Sequence, residues 1–269
     1  MAPSNQRRTP AILCPAGHNP QFCRVGLKWD LHHEPAKCAE LDQKERSPLP
    51  QSPLSAVIVP VTPFQQNCSL IWCTQSGKGA LVDPGGDTER LIAAVSAQQV
   101  VIEKILLTHG HIDHAGGAAR LARHFQVPIE GPHAEDAFLL DSLAEQGSRF
   151  GFAAAENCRP DRWLVDEDTV ELGQLRLSVR HCPGHTPGHV VFHLPEAMLA
   201  LVGDVLFRGS IGRTDFPRGD FNTLIASITE RLWPLGDDTN FVPGHGPMST
   251  FGWERKTNPF VSDLALGRA

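Results

Sequence analysis

The chain contains no tyrosine among its 269 residues, so any site in it works without a phenol. It has no run approaching the roughly 18 apolar residues that a membrane-spanning helix needs, and its N-terminus lacks the apolar core of a secretory signal. No stretch is strongly basic and the formal net charge is -6, so neither nucleic acid nor an anionic membrane is an expected partner. Seven cysteines stand at irregular spacings with no CxxC pair, which speaks against a disulfide framework. Reduced thiols in a cytoplasmic protein are the expectation. Motifs that would supply a nucleophilic serine (GxSxG), a helical zinc pair (HExxH) or a phosphate-binding loop are also missing.

What is present is the composition of a folded globular chain, 41% apolar and 20% charged, with 24 glycines and 22 prolines implying many turns. Residues 1–54 differ from the rest. They hold eight of the prolines, show no sustained periodicity and close on "RSPLPQSPLS", and so read as a disordered extension. Cys14, Cys23 and Cys38 with His18, His32 and His33 match no zinc-finger spacing. Residues 55–269 form the expected catalytic domain.

Within that domain "AVIVPV", "CSLIWC" and "GALVDPGG" are short β-rich runs separated by turn residues. A helix is predicted from Asp87, as its cap, to about Gln98, and "IEKILLT" has buried-strand length. Ala118, Leu121, Ala122 and Phe125 then fall at helical spacing. The second half repeats the style with "TVELG", "LRLSVRHC", "HVVFHL", "MLALVGD", a helix through Phe221, Leu224, Ile225, Ile228 and Leu232, and a last strand "NFVPGH" before a short tail. Two similar halves of strands and helices predict an α/β protein, an αββα sandwich of two sheets with helices outside.

Four segments run from an apolar strand into a potential metal ligand: "ILLTHGHIDH", "VRHCPGHTPGH", "LALVGD" and "NFVPGH". In an extended segment residues two apart face the same way, so His109 and His111 can present imidazoles to one cation, joined by His185. Asp113 and His114, completed by His245, would serve a neighbouring position about 3.5–4 Å away, as in two-metal sites generally. Two dications that close need a shared anion, and Asp204 is the candidate bridge. Crowding four ionisable side chains into "HGHIDH" without a cation would be costly.

"THGHIDH", "CPGHTPGH", "GDVLF" and "PGHG" resemble the metallo-β-lactamase superfamily. The region from about 55 to 265 is similar to its short glyoxalase II-like (hydroxyacylglutathione hydrolase-like) proteins, through "PFQQNCSLIWC", "ALVDPGGD", "GRTDFPRGD" and "GPMSTFGWER". The resemblance implies the same seven ligands, with Asp113 and Asp204 also taking part in catalysis. It further implies two divalent metal ions, zinc foremost with iron or manganese as alternatives, and water activated by the pair for attack on a small-molecule thioester. Asp83 resembles a carboxylate that orients a ligand histidine. Arg213 and Phe216 are expected at the substrate mouth, His189 behind the ligands or in the core, and Cys182 as a buried apolar residue. His124, His133, His181 and His193 are read as surface or packing residues.

Longer glyoxalase II enzymes add a C-terminal helical domain and use tyrosines around glutathione, and superfamily lactonases place a tyrosine beside the metals. The missing tyrosine speaks against a lactonase and against the familiar mode of gripping glutathione. Two other classes of activity stand beside the thioesterase. One is a persulfide dioxygenase-like oxidoreductase with a single iron on His109, His185 and Asp204; the other is a metal-dependent hydrolase of another ester.

Overall fold

The computed structural model describes residues 52–152 and 155–268, and within the N-terminal stretch only a two-residue strand, β1 (Cys23–Arg24). The extension read in residues 1–54, with its cysteines and histidines, otherwise lies outside the described residues. The first sheet has the order β1-β2-β3-β4-β5-β6, with β2 (Leu54–Val61), β3 (Gln66–Cys73), β4 (Lys78–Val82), β5 (Val101–Leu106) and β6 (Ile129–Glu130). β1 pairs antiparallel with β2, and β2, β3 and β4 pair antiparallel through tight turns. From β4 the pairing is parallel, since the helix α1 (Thr88–Gln98) carries the chain back between β4 and β5.

The second sheet mirrors this arrangement, in the order β14-β13-β10-β9-β8-β7. Strands β7 (Thr169–Leu172), β8 (Leu175–His181), β9 (Val190–Leu194) and β10 (Leu199–Gly203) form a meander. A two-strand ribbon, β11 (Leu206–Phe207) and β12 (Ser210–Ile211), follows it. Strand β13 (Asn240–Pro243) then lies parallel to β10, and β14 (Ser249–Thr250) closes the edge.

Period-two alternation sorts these strands into layers. Ala80 and Val82 of β4, Phe192 of β9 and Leu199 and Leu201 of β10 meet Val170, Leu177 and Val179 between the sheets. Leu81 points the other way, packing with Leu91 and Val95 of α1 and Leu121 of α3 (Ala118–Phe125), after the four-residue α2 (Ile112–Ala115). Across the second sheet Val191, Ala200 and Val202 pack on Leu224, Ile228 and Leu232. The result is the predicted αββα sandwich.

Several local expectations are corrected. Asp87 precedes α1, but its carboxylate accepts from the Thr62 N–H (3.0 Å) instead of capping the helix. "IEKILLT" stays extended only to Leu106, which leaves Thr108 and His109 in a loop. Two short helices, α4 (Ala137–Leu140) and α5 (Leu143–Phe150), were not anticipated. The later helix, α6 (Phe221–Ala226), widens into a π-helical turn, Ser227–Leu232, and leaves Phe221 exposed. The supposed C-terminal tail folds into β14 and α7 (Phe251–Thr257), which starts with Thr250 Oγ1 accepting from the Trp253 N–H.

Candidate metal centre

Strands β4, β5, β10 and β13 run in parallel pairs whose C-terminal ends open on one rim of the sandwich. Asp83 follows β4, the His109–His114 segment follows β5, Asp204 follows β10 and His245 follows β13, while His185 comes from the loop after β8. Side chains far apart in sequence therefore converge on rigid supports.

His111 Nδ1 lies 3.1 Å from His109 Nε2 and 3.0 Å from His185 Nε2. The other nitrogens of the two outer rings are engaged: His109 Nδ1 with Thr108 Oγ1 (3.0 Å) and His185 Nδ1 with the Arg213 carbonyl (2.7 Å). A carbonyl only accepts, so His185 donates from Nδ1 and turns an Nε2 lone pair inward. His111 Nδ1 carries at most one proton and cannot satisfy both close approaches. A cation can, because ligands bound at about 2.0–2.1 Å in tetrahedral geometry stand about 3.4 Å apart.

A second group adjoins the first. His245 Nε2 is 3.1 Å from Asp113 Oδ2, and His114 Nε2 is 3.8 Å from the same oxygen. Asp204 lies between the groups: Oδ1 is 3.4 Å from His114 Nε2, while Oδ2 is 3.5 Å from His185 Nε2 and 3.8 Å from His245 Nε2. His114 Nε2 and Asp204 Oδ1 are both buried and both lack a hydrogen-bond partner. Orphaned buried atoms of this kind call for a partner, and these face each other across a space of ligand dimensions. The seven residues thus fit a divalent metal, and the two clusters His109–His111–His185 and Asp113–His114–His245 have the donor set for one.

The electrostatics agree. Burial and neighbouring imidazoles hold His109 far below its ordinary pKa, and burial and His185 bring His111 to about 3. Both are therefore neutral donors. Burial raises the Asp204 carboxyl, but His114 and His185 outweigh it and hold the group ionised; His114 is correspondingly raised against its own burial by Asp204 and Asp113.

Supporting contacts fix the rings. Asp83 Oδ2 accepts from His114 Nδ1 (2.9 Å) and from Thr108 Oγ1 (2.6 Å), and Oδ1 accepts from the Thr108 N–H (2.7 Å). Thr108 Oγ1, having given its proton to Asp83, accepts from His109 Nδ1. One carboxylate thereby orients a histidine in each cluster. His245 Nδ1 donates to the Phe64 carbonyl (3.1 Å). His189 holds no position in either cluster; its Nε2 accepts the Asp204 N–H (3.0 Å), and its ring stacks on His109 at 4.6 Å. Gly203, at φ 48°, turns the chain out of β10, and a Cβ there would meet Thr108 Oγ1 at 2.5 Å and His189 Nε2 at 2.6 Å.

Asp136 was not singled out by the sequence. It is fully buried, and its carboxylate accepts from the N–H of Gly110 (2.9 Å), Thr186 Oγ1 (2.8 Å) and the N–H of Gly188 (2.6 Å), tying the His109–His111 loop to the His185 loop. Burial pushes its carboxyl up to about 6 against those bonds. Asp136→Asn keeps the shape but replaces one acceptor oxygen with a donor. Each buried donor left unpaired costs about 1–3 kcal/mol, so the thermal midpoint should fall. Loosened ligand loops should also lower metal affinity by roughly 10–100-fold. Calorimetry with metal titration checks both; an unchanged midpoint and affinity would remove Asp136 from the clamp.

Beside the first cluster, Phe216 lies over His111 and His185 (ring centroids 4.8 and 5.6 Å) and carries the Arg213 guanidinium 4.6 Å above its ring. Arg213 also pairs with both oxygens of Asp215 at 2.9 and 2.7 Å. Cys182 is fully buried in the outer core of the second sheet.

A four-layer sandwich with histidine and aspartate clusters at one rim defines a class of metal-dependent hydrolases. The chain belongs to it: residues 61–245 match the family described as the metallo-beta-lactamase superfamily, and the protein is a metallo-hydrolase of that superfamily. The chain is 48% identical over 206 residues to the hydroxyacylglutathione hydrolase GloC of Haemophilus influenzae, a match spanning 76% of this chain and 97% of that protein. It is similar to the crystal structure of BLEG-1 B3 metallo-beta-lactamase (TM-score 0.70, 35% identity, 76% of this chain and 98% of that one). It is similar also to TTHA1623 in a di-iron-bound form (TM-score 0.68, 36% identity, 76% and 99%). Among the described residues no helix is long and apolar enough to cross a membrane.

Proposed function

We propose that this chain is a binuclear thioester hydrolase of the hydroxyacylglutathione hydrolase kind, acting on S-lactoylglutathione-like substrates in the cytoplasm. His109, His111 and His185 would hold one ion, Asp113, His114 and His245 the other, with Asp204 shared. The observation that carries this reading is the placement of Asp204 between the clusters, Oδ1 3.4 Å from His114 Nε2 and Oδ2 3.5 Å from His185 Nε2. When bound, such a pair makes water acidic enough to ionise near neutrality and polarises an ester carbonyl.

The chain's own residues supply the rest. Asp113 and Asp204 bring two negative charges that offset the dications, and the imidazoles, which bind a cation only in their neutral form, add donors without adding charge. Asp83 and Thr108 keep the ring nitrogens of His114 and His109 aimed inward. Phe216 offers an apolar wall beside His111, and Arg213 offers a cation for an acidic substrate tail. A thiolate leaves without first being protonated, so the site needs no separate proton donor; this favours a thioester over an amide. The 48% identity to a protein named as a hydroxyacylglutathione hydrolase supports the same class. Zinc is the expected metal, with iron or manganese as alternatives. Cys68, Cys73, Cys158 and Cys182, all free and buried, accord with a reducing compartment. A single-iron oxidoreductase on His109, His185 and Asp204 would leave Asp113, His114 and His245 clustered for no purpose.

The test is a substrate panel on the purified full-length protein: S-lactoylglutathione, a second thioester, a β-lactam and a phosphodiester, with an oxygen electrode in the presence of glutathione persulfide. Thioester cleavage that a chelator abolishes and added zinc restores is expected. Oxygen uptake with persulfide, or a metal-loaded protein inert toward thioesters, would overturn the proposal.

A further inference from the structure

Outside the seven-residue cluster, His133, Glu135 and His181 bring three donor atoms within 4.8 Å of one another. Glu135 Oε2 lies 3.7 Å from His133 Nδ1 and 3.9 Å from His181 Nε2, and the two rings stack with centroids 4.3 Å apart. Donors around a tetrahedral ion with bonds of about 2.0–2.1 Å stand about 3.4 Å apart, so the set closes when the two rings turn out of their stack, His133 Nδ1 releases the Glu135 N–H (3.3 Å) and the glutamate side chain shifts toward them. Glu135 is free to move, its side chain being 58% exposed, and among the described residues no lysine or arginine pairs with it.

The support beneath is firm. His181 ends β8, paired with Val190, while the His133 N–H donates to the Gly188 carbonyl (3.0 Å) and the His133 carbonyl accepts from the Asp136 N–H (3.0 Å). The imidazoles are 23% and 21% exposed, enough for an ion to enter from solvent.

We propose that His133, Glu135 and His181 form a peripheral site for a divalent transition-metal ion, separate from the seven-residue cluster. Two imidazoles and one carboxylate select zinc, copper or nickel over magnesium or calcium, which prefer an all-oxygen shell; water fills the remaining position. His181 enters as its Nδ1-protonated tautomer, and Nε2 gives up the Pro187 carbonyl, now 2.9 Å away. Pro187 lies in the loop that carries His185, and Asp136 follows Glu135 directly. The site therefore sits on the turn that clamps the catalytic loops.

The experiment is equilibrium dialysis of the full-length protein against zinc chloride over a range of concentrations, with metal counted per chain. Wild type should take up one ion more than the His133→Ala, His181→Ala double variant at saturation. Glu135→Gln, a change at an exposed side chain that spares the fold, should weaken that extra ion. With copper, the electron paramagnetic resonance spectrum of wild type minus that of the double variant should show an additional copper signal coupled to two nitrogens. The extra ion is read as a difference between variants, so it does not depend on how many ions the main cluster holds or on what the enzyme cleaves. Identical uptake curves for wild type, the double variant and Glu135→Gln would overturn the proposal.

Discussion

Asp204→Ala should lower thioester hydrolysis by roughly three orders of magnitude, the scale on which losing one electrostatic stabiliser of a transition state is felt. The side chain lies between the two clusters. Without it His114 Nε2 and His185 Nε2 face a cavity, and two ions would lose the anion that screens their mutual repulsion. The fold should persist, because the three apolar layers that define the sandwich do not include Asp204. Circular dichroism and a thermal scan would establish that, steady-state kinetics the loss. Undiminished turnover would refute the shared role of this carboxylate.

Gly244→Ala should be nearly as damaging, for a steric reason. A Cβ at Gly244 would stand 2.1 Å from Asp204 Oδ1 and 2.6 Å from His114 Cε1. The backbone there cannot retreat, since the Gly244 N–H donates to the Gly203 carbonyl and its own carbonyl accepts from the Asn67 N–H, each at 2.7 Å. The carboxylate and the ring must move instead. Overpacking of this kind costs about 1–3 kcal/mol in stability. Displaced ligands should lower metal affinity and kcat together by about 100-fold, the upper end for disturbing a metal shell. Metal titration beside kinetics would show it, and normal values for both would mean the Asp204 carboxylate has room the geometry denies.

The grouping of the seven residues was legible because each follows an apolar strand and four of them are neighbours in "HGHIDH". The four layers were legible because strand-rich blocks, each followed by a helix, recur in two similar halves. What escaped depends on contacts between distant segments. Asp136 is a single acid in "GPHAEDAF", and its partners lie 26, 50 and 52 residues away. Thr108 stood in plain view beside His109, but only the fold brings Asp83 to it. His189 was placed behind the ligands without a task; its hydrogen bond to the Asp204 N–H is what the fold adds. Helix α7 escaped because it buries only Phe251, Gly252 and Glu254 of its seven residues, too narrow an apolar stripe to register as periodic.

The direct test of the central claim is a metal count on full-length protein dialysed exhaustively against metal-free buffer, so that loosely held ions leave. About two ions should remain per chain, falling toward one or none in Asp204→Ala, and anomalous diffraction should place them about 3.5–4 Å apart with Asp204 between them. One retained ion, or two farther apart than a single carboxylate can span, would contradict it.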